Sequence, residues 1–398
     1  MTTTVTKPPA WADFAELVVE LGSNVVWSGA SGALWGRAVW GRDRWTGLLE
    51  PDRWRDVTRY VLAFDYDTGR QGLLDPGDVG TATLTLFDPE GDFGIVAHRS
   101  IGALLRAWAR TSGGERLLFF GKVTEAGYVG DLDAPAVTLR AVDPLGIAFA
   151  GETLFTLGPQ TVTQRLELLL DDALWPRIWR DIQLDPTGLT ITRDPGLRID
   201  EARRAVESAG GILWAEGNVI SYRGRGYTID PEAPPAISIS TDQPGPGASP
   251  SQLGYREQIA DTANRVVLQT IEPVLFAEAI SPTSIAAKGV HWYRRSDLCT
   301  QGQGVLDALA QRILRLRAWP APRLEPLQVI VHDAESAAAT LVRLGDVADV
   351  TYTGSAPGRA RSIVAGVSHH VSPEEWDVTL RTFNPEPATE REKVGADA

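Results

Sequence analysis

Apolar and polar positions alternate in separate parts of the chain, and each alternation predicts a strand. In Thr81-Ala82-Thr83-Leu84-Thr85-Leu86, the residues Ala82, Leu84 and Leu86 fall on one face and the threonines on the other. The run Val137-Thr138-Leu139-Arg140-Ala141 repeats the pattern. Trp376, Val378 and Leu380 alternate with Asp377, Thr379 and Arg381 in what should be the last strand. Leu117-Leu118-Phe119-Phe120-Gly121 is an unbroken apolar run, as expected of a short strand covered on both faces. Turn chemistry marks the gaps at Asp75-Pro76-Gly77-Asp78, Asp88-Pro89-Glu90-Gly91 and Ser112-Gly113-Gly114.

Helical spacing appears later. Thr161 and Gln164 predict a capping box, after which Leu166, Leu169, Leu170 and Ala173 share a face until Pro176 stops the run. A second helix opens at Asp200, buries Ala202, Ala205, Val206 and Ala209, and closes on Gly210-Gly211. The apolar runs at 212–214 and 219–222 flank Glu216-Gly217-Asn218, a hairpin signature. Leu306, Leu309, Ala310 and Ile313 line a third helix that ends at Trp319-Pro320.

These elements divide the chain into blocks. Residues 1–150 are expected to form a β domain with a Trp-rich loop, and 151–235 a small α+β domain. Residues 236–253, with Gln243-Pro244-Gly245-Pro246-Gly247, form a Pro/Gly linker in which no regular element is expected. Residues 254–385 make a second β domain, and the charged stretch 386–398 is expected to be disordered. The fold class is therefore mainly β with an α+β insertion.

Composition narrows the function classes. With 398 residues, 43% hydrophobic and 22% charged, the chain has material for two to three folded domains. The 39 glycines and 26 prolines suit a loop-rich β architecture. A net charge of -13 argues against a grip on nucleic acid built by phosphate neutralisation. The single cysteine, Cys299, allows no intramolecular disulfide and no Cys-based zinc site. No run approaches about 18 consecutive apolar residues, so no membrane span is expected. The first ten residues show neither a basic nor an apolar leader region, so no secretory signal is expected.

No chemistry stands out. Neighbouring histidines on a strand point to opposite faces, so His369 and His370 cannot both reach one metal. Gly29-Ala30-Ser31-Gly32 lacks the spacing of a nucleophile elbow. Gly302-Gln303-Gly304 opens a helix, but Asp307 stands where a dinucleotide loop needs glycine, which leaves a helix-capping turn. Asp171-Asp172 and Glu374-Glu375 are ordinary solvated carboxylates, and Cys299 has no base beside it. No catalytic, cofactor-binding or metal-binding residue is assigned, and no cofactor is expected. Trp35, Trp40 and Trp45 recur at a spacing of five, which matches neither strand nor helix. They suit a chain of turns, either folded on its own domain or serving as a subunit interface, where tryptophan and arginine are enriched.

Several stretches together resemble tail hub proteins of long-tailed bacteriophages. Asp261-Thr262-Ala263-Asn264-Arg265-Val266 looks like a strand opening of those hubs, and the stretch from Val364 to Leu380 is similar to a closing hairpin in minor tail proteins of actinobacteriophages. The stretches Gly77–Phe93, Leu117–Tyr128 and Val137–Phe149 resemble their tube-like first domain and the exit from it. The resemblance implies two tube-like β-barrel domains per chain plus a smaller helix-containing domain. It also implies a non-enzymatic trimeric ring that joins the tail tube and distal tail ring to a central spike or fibres. Its neighbours would be the distal tail protein ring, the tape measure protein and the tail fibre or spike proteins. DNA would pass through the lumen without specific binding, and the location would be the virion tail tip, after synthesis in the host cytoplasm. A distal tail ring protein or receptor-contacting module is the alternative, and a cell-wall hydrolase the third reading.

Overall fold

The computed structural model describes residues 10–22, 54–70, 77–88, 93, 100–129, 135–193, 196–225, 233–241, 248–256, 259, 262–320, 323–352 and 358–383. Trp35, Trp40 and Trp45, Gly29-Ala30-Ser31-Gly32 and the tail 386–398 lie outside the described residues.

The first block supplies β1 (Ala15–Gly22), β2 (Trp54–Asp56), β3 (Val61–Gly69), β4 (Thr81–Phe87), β5 (Leu104–Thr111), β6 (Gly114–Val129) and β7 (Ala136–Val142). The second contains α1 (Pro144–Ala148), β8 (Gln160–Thr161), α2 (Val162–Asp172), β9 (Arg180–Ile182), β10 (Gly188–Leu189), α3 (Arg198–Ala209), β11 (Ile212–Glu216) and β12 (Val219–Arg223). There follow β13 (Ile237–Ser240), β14 (Gln252–Arg256), β15 (Arg265–Thr270), β16 (Phe276–Ile280), α4 (Pro282–Lys288), β17 (Trp292–Leu298) and α5 (Gln303–Arg317). The chain closes with β18 (Arg323–Ile330), α6 (Ala334–Ala337), β19 (Val347–Tyr352), β20 (Gly358–Val371) and β21 (Trp376–Phe383). The protein is mainly β with a few helices, as its alternating patterns predict.

A 13-stranded sheet runs β14-β18-β21-β20-β3-β4-β7-β6-β5-β1-β2, with β19 pairing β20 and carrying β13 on its other side. Strands from the first and third blocks thus belong to one sheet. Their seam is the antiparallel pair β20–β3, from Gly366 opposite Gly69 to Val371 opposite Phe64. Ala82, Leu84 and Leu86 of β4 all face its core, each leucine worth about 2 kcal/mol of burial.

The described residues pack into three hydrophobic cores. The largest lies under the big sheet and takes residues from both its halves. The second gathers α1, α2, α3 and the β11–β12 hairpin around Trp175, Trp179 and Tyr222. The third is local: α5 covers the three-stranded sheet β16-β15-β17 through Leu306, Leu309, Ala310 and Ile313. Residues 254–385 are therefore shared between the first core and the third.

Local signals and structure agree at most boundaries. Thr161 caps α2 in a full capping box with Gln164, and Gly210 ends α3 in the left-handed conformation at φ 69°, which glycine adopts without Cβ strain. Three differences have physical causes. The run at 117–121 lies in the first half of a 16-residue strand, β6, which pairs with β5 over residues 114–122 and with β7 over 122–129. Gly121 is needed there, because a Cβ would lie 2.3 Å from the Val142 carbonyl oxygen. Helix α3 starts at Arg198 rather than Asp200, because the Arg198 amide is held by the Gly151 carbonyl at 3.0 Å, and Asp200 and Glu201 sit in its first turn against the helix dipole. Finally, Ile237–Ser240, within the stretch expected to be a bare linker, is β13, whose Ile237 and Ile239 are buried by parallel pairing with β19.

Candidate functional site

Several of the residues singled out for chemistry are engaged in structure, whereas Glu374 is exposed at the turn before β21. His369 and His370 point to opposite faces of β20, as alternation requires. His369 is buried, stacked on Tyr66, and its Nδ1 accepts from the Trp376 indole at 3.2 Å. Burial, with a contribution from Arg116, pushes its pKa down to about 3, so the ring is neutral. His370 lies outside, 2.6 Å from the Asp65 carboxylate, and that hydrogen bond raises its pKa. Asp171 bonds Arg180 at 2.6 Å and Asp172 bonds Arg198 at 2.6 Å, so both are held in ion pairs within the chain. The Cys299 thiol is buried against Ser208, and burial raises its pKa, so it stays a thiol. Gly302 is the N-cap of α5.

The buried charges are structural as well. Arg165 is fully enclosed and donates to the carbonyls of Gly158 and Thr190 and to the Thr192 hydroxyl. Asp143 caps α1 and accepts the amides of Gly80 at 2.8 Å and Gly146 at 3.0 Å, while burial pushes its carboxyl up to about 7. Asn264, within the stretch that resembles phage hubs, is a buried tie. Its Oδ1 accepts the His291 amide at 2.7 Å, and its Nδ2 donates to the Gly289 carbonyl at 2.7 Å and the Ser284 hydroxyl at 3.2 Å. Among the described residues, no group of three or more His, Cys, Asp or Glu is placed to hold a metal ion. Among them, too, no helix is long and apolar enough to cross a membrane.

What remains is surface. The outer face of the β20–β3 seam is polar and internally paired. Besides His370–Asp65, the Ser368 hydroxyl donates to Asp67, and Arg381 reaches Asp67 and the Thr68 carbonyl, each at 2.6 Å. The outer face of the β16-β15-β17 sheet is built the other way round. Along β16 the small residues Ala277 and Ala279 point inward, where α5 approaches closely, and the large Phe276 and Ile280 point to solvent. Register places Ile280, Arg265 and Trp292 in one row and Glu278, Val267 and Arg294 in the next. The guanidinium carbons of Arg265 and Arg294 lie 4.2 and 4.1 Å from the Trp292 ring centre, within cation–π range. The signal for this face was in the sequence as an alternation, Phe-Ala-Glu-Ala-Ile, with the larger apolar residues on the wrong side for a core.

No protein-family model matches the sequence, and no curated protein does. Solved structures do. A tail protein from Neisseria meningitidis MC58 superposes with a TM-score of 0.60 at 12% identity, covering 92% of this chain and 96% of its own. The 43 kDa tail protein of prophage MuSo2 from Shewanella oneidensis gives 0.56 at 9% identity, covering 93% and 99%. The c3393 protein of E. coli, a type VI secretion component with structural similarity to the T4 bacteriophage tail proteins gp27 and gp5, gives 0.50 at 12% identity over 82% and 74%. The chain has the fold of phage tail proteins. The likeness extends over more than nine-tenths of the chain in the first two, so it includes all three cores rather than one common sheet.

Proposed function

We propose that this chain is a non-enzymatic structural hub of a phage tail tip, a trimeric ring that joins the tail tube and distal tail ring to the central spike or fibres and lines the DNA channel. The observation that carries the reading is the fold, shared nearly end to end with a tail protein from Neisseria meningitidis MC58 and a prophage tail protein from Shewanella oneidensis. The engagement of His369, His370, Asp171, Asp172 and Cys299 in structural contacts is in keeping with a non-enzymatic role. The fused sheet is also in keeping with it: two antiparallel runs, one on each side of the β20–β3 seam, taken three times give six similar units around one axis. A net charge of -13 leaves passing DNA unbound. Trp35, Trp40 and Trp45 are a proposed contact with a neighbouring chain or ring, in which case Trp40→Ala impairs assembly and leaves the isolated chain folded.

Cryo-electron microscopy of the assembled tail tip tests the reading. Three copies around the axis at the junction of tube and spike are expected. Six copies in one ring would make the chain a distal tail ring protein instead, and a single axial copy would refute the ring. Cell-wall cleavage by the purified chain would refute the non-enzymatic role.

A further inference from the structure

We infer that Arg225, Arg312 and Arg315, beside the cleft between helix α3 and the layer of β17 and α5, form a docking site for an acidic peptide segment of a partner protein. The three arginines come from different parts of the chain. Arg225 follows β12, whereas Arg312 and Arg315 lie one turn apart on α5, where equal charges repel. They converge at the end of α3. A Cβ on Gly210 would meet Arg312 Nη1 at 3.5 Å and the Arg225 Cβ at 3.6 Å. Arg225 and Arg315 are exposed, and among the described residues none of the three has a carboxylate within ion-pair distance. Burial lowers the Arg312 pKa, and the charges of Arg315 and Arg225 lower it further. The site stands whether or not the chain forms the ring proposed above.

The fold accounts for only part of this charge. Arg312 donates to the Gly210 carbonyl at 2.5 Å and so closes the end of α3, and Arg315 sits in the last turn of α5. The two helix C-termini offer about half a negative charge each, against three guanidinium groups. The neighbouring carboxylates are committed elsewhere. Glu207 and Asp297 both bond Arg295, while Asp185 accepts the Tyr222 hydroxyl at 2.7 Å and the Thr187 amide at 2.8 Å. On a chain whose total is -13, about two positive charges are therefore left unbalanced at one point. Guanidinium groups bond carboxylates in paired, charge-assisted fashion, so an acidic side chain matches them. The adjoining cleft, which Arg312 also lines, has buried Leu268, Leu298 and Leu309 and half-buried Ile212 and Tyr293 in its walls. An apolar side chain next to the carboxylate finds its place there. Duplex DNA suits the site less, because a grip on it neutralises phosphates spaced along the helix and these charges meet at one point.

The test presents a random dodecapeptide library to the full chain, to Arg225→Ser and Arg315→Ser singly, and to the double variant, all of which keep the bond from Arg312 to Gly210. The wild type is expected to enrich peptides that carry Asp or Glu next to an aliphatic residue. The selected peptides should bind the double variant at least about tenfold more weakly and each single variant to a lesser degree, with thermal unfolding unchanged. No enrichment, enrichment of peptides without carboxylates, or equal binding to the double variant would overturn the site. Asp230 and Glu232 follow Arg225 in the sequence. Enrichment that appears only with Asp230→Asn and Glu232→Gln together would give the arginines to the chain's own carboxylates and overturn the choice of a partner. A DNA duplex that binds more tightly than any selected peptide, and that the double variant releases, would give the site to nucleic acid instead. The number of copies around the axis, read by microscopy, is a separate result from all of these.

Discussion

Two solvent-facing regions of sheet in this protein are finished differently. On the β20–β3 seam, segments about 300 residues apart in sequence come together, and every outward side chain at the junction finds a partner within the chain: His370 with Asp65, Ser368 with Asp67, and Arg381 with Asp67 and Thr68. On the β16-β15-β17 sheet, three strands from one local stretch turn alanines inward and Phe276, Ile280 and Trp292 outward. The seam presents polar side chains that are paired with one another and can also be hydrated. The local sheet is held by α5 from one side, and its other side leaves Phe276, Ile280 and Trp292 exposed.

The contrast can be broken from the seam first. Beneath it, His369 is neutral when folded, with a pKa near 3 in place of 6.5. The unfolded chain therefore takes up a proton below pH 6.5 that the folded chain refuses. Its contribution to stability is fully present above pH 6.5 and is lost as pH falls toward 3, at about 1.4 kcal/mol per pH unit. Asp143, whose buried carboxyl sits at about 7, binds a proton on folding over the same range and contributes the opposite slope, so urea unfolding between pH 7 and pH 4 compares the wild type with His369→Gln, which keeps an acceptor for Trp376. The variant should lack the His369 contribution to the slope, and identical slopes in both would place the acid sensitivity elsewhere.

In the local sheet the matching internal residue is Asn264. Asn264→Ala leaves the His291 amide and the Gly289 carbonyl without their partner and should cost about 3 kcal/mol. Hydrogen exchange should rise through 265–317 and stay unchanged in β3, because the third core is separate from the first. Uniform loss of protection across both regions would mean that the two cores unfold as one.

Smaller effects come from the faces themselves. Arg381→Ala removes the bonds to Asp67 and the Thr68 carbonyl, and should destabilise the chain by about 1 kcal/mol, Asp67 being half exposed. Arg294→Glu on the outer face of the local sheet should change the stability of the dissociated chain by less than about 0.5 kcal/mol, since the side chain is exposed and makes no ion pair within the described residues. Denaturant midpoints measure both. A larger loss for Arg294→Glu than for Arg381→Ala would reverse the division between a closed face and an open one.

Period and capping chemistry in the sequence determined the elements. The alternation at Thr81–Leu86, the capping box at Thr161 and Gln164, the left-handed glycine at 210 and the hairpin around Gly217 are local, because dihedral preference and one-sided burial act over a few residues. The absence of catalytic and metal motifs could be read at the same level, and so could the opposition of His369 and His370. Tertiary structure decided what those elements do together. That β20 pairs with β3, so that the two β blocks form one sheet, depends on contacts between residues 61–69 and 358–371, and no local pattern specifies a partner strand. That the Ile237–Ser240 stretch becomes a strand depends on the free edge of β19 beside it. The neutral state of His369 depends on Tyr66 and Trp376 closing over it. The bare face of β16 was written in the sequence as alternating large and small residues. It took α5, packed against Ala277 and Ala279, to decide which side was the core, because alternation defines two faces and only a covering layer chooses between them.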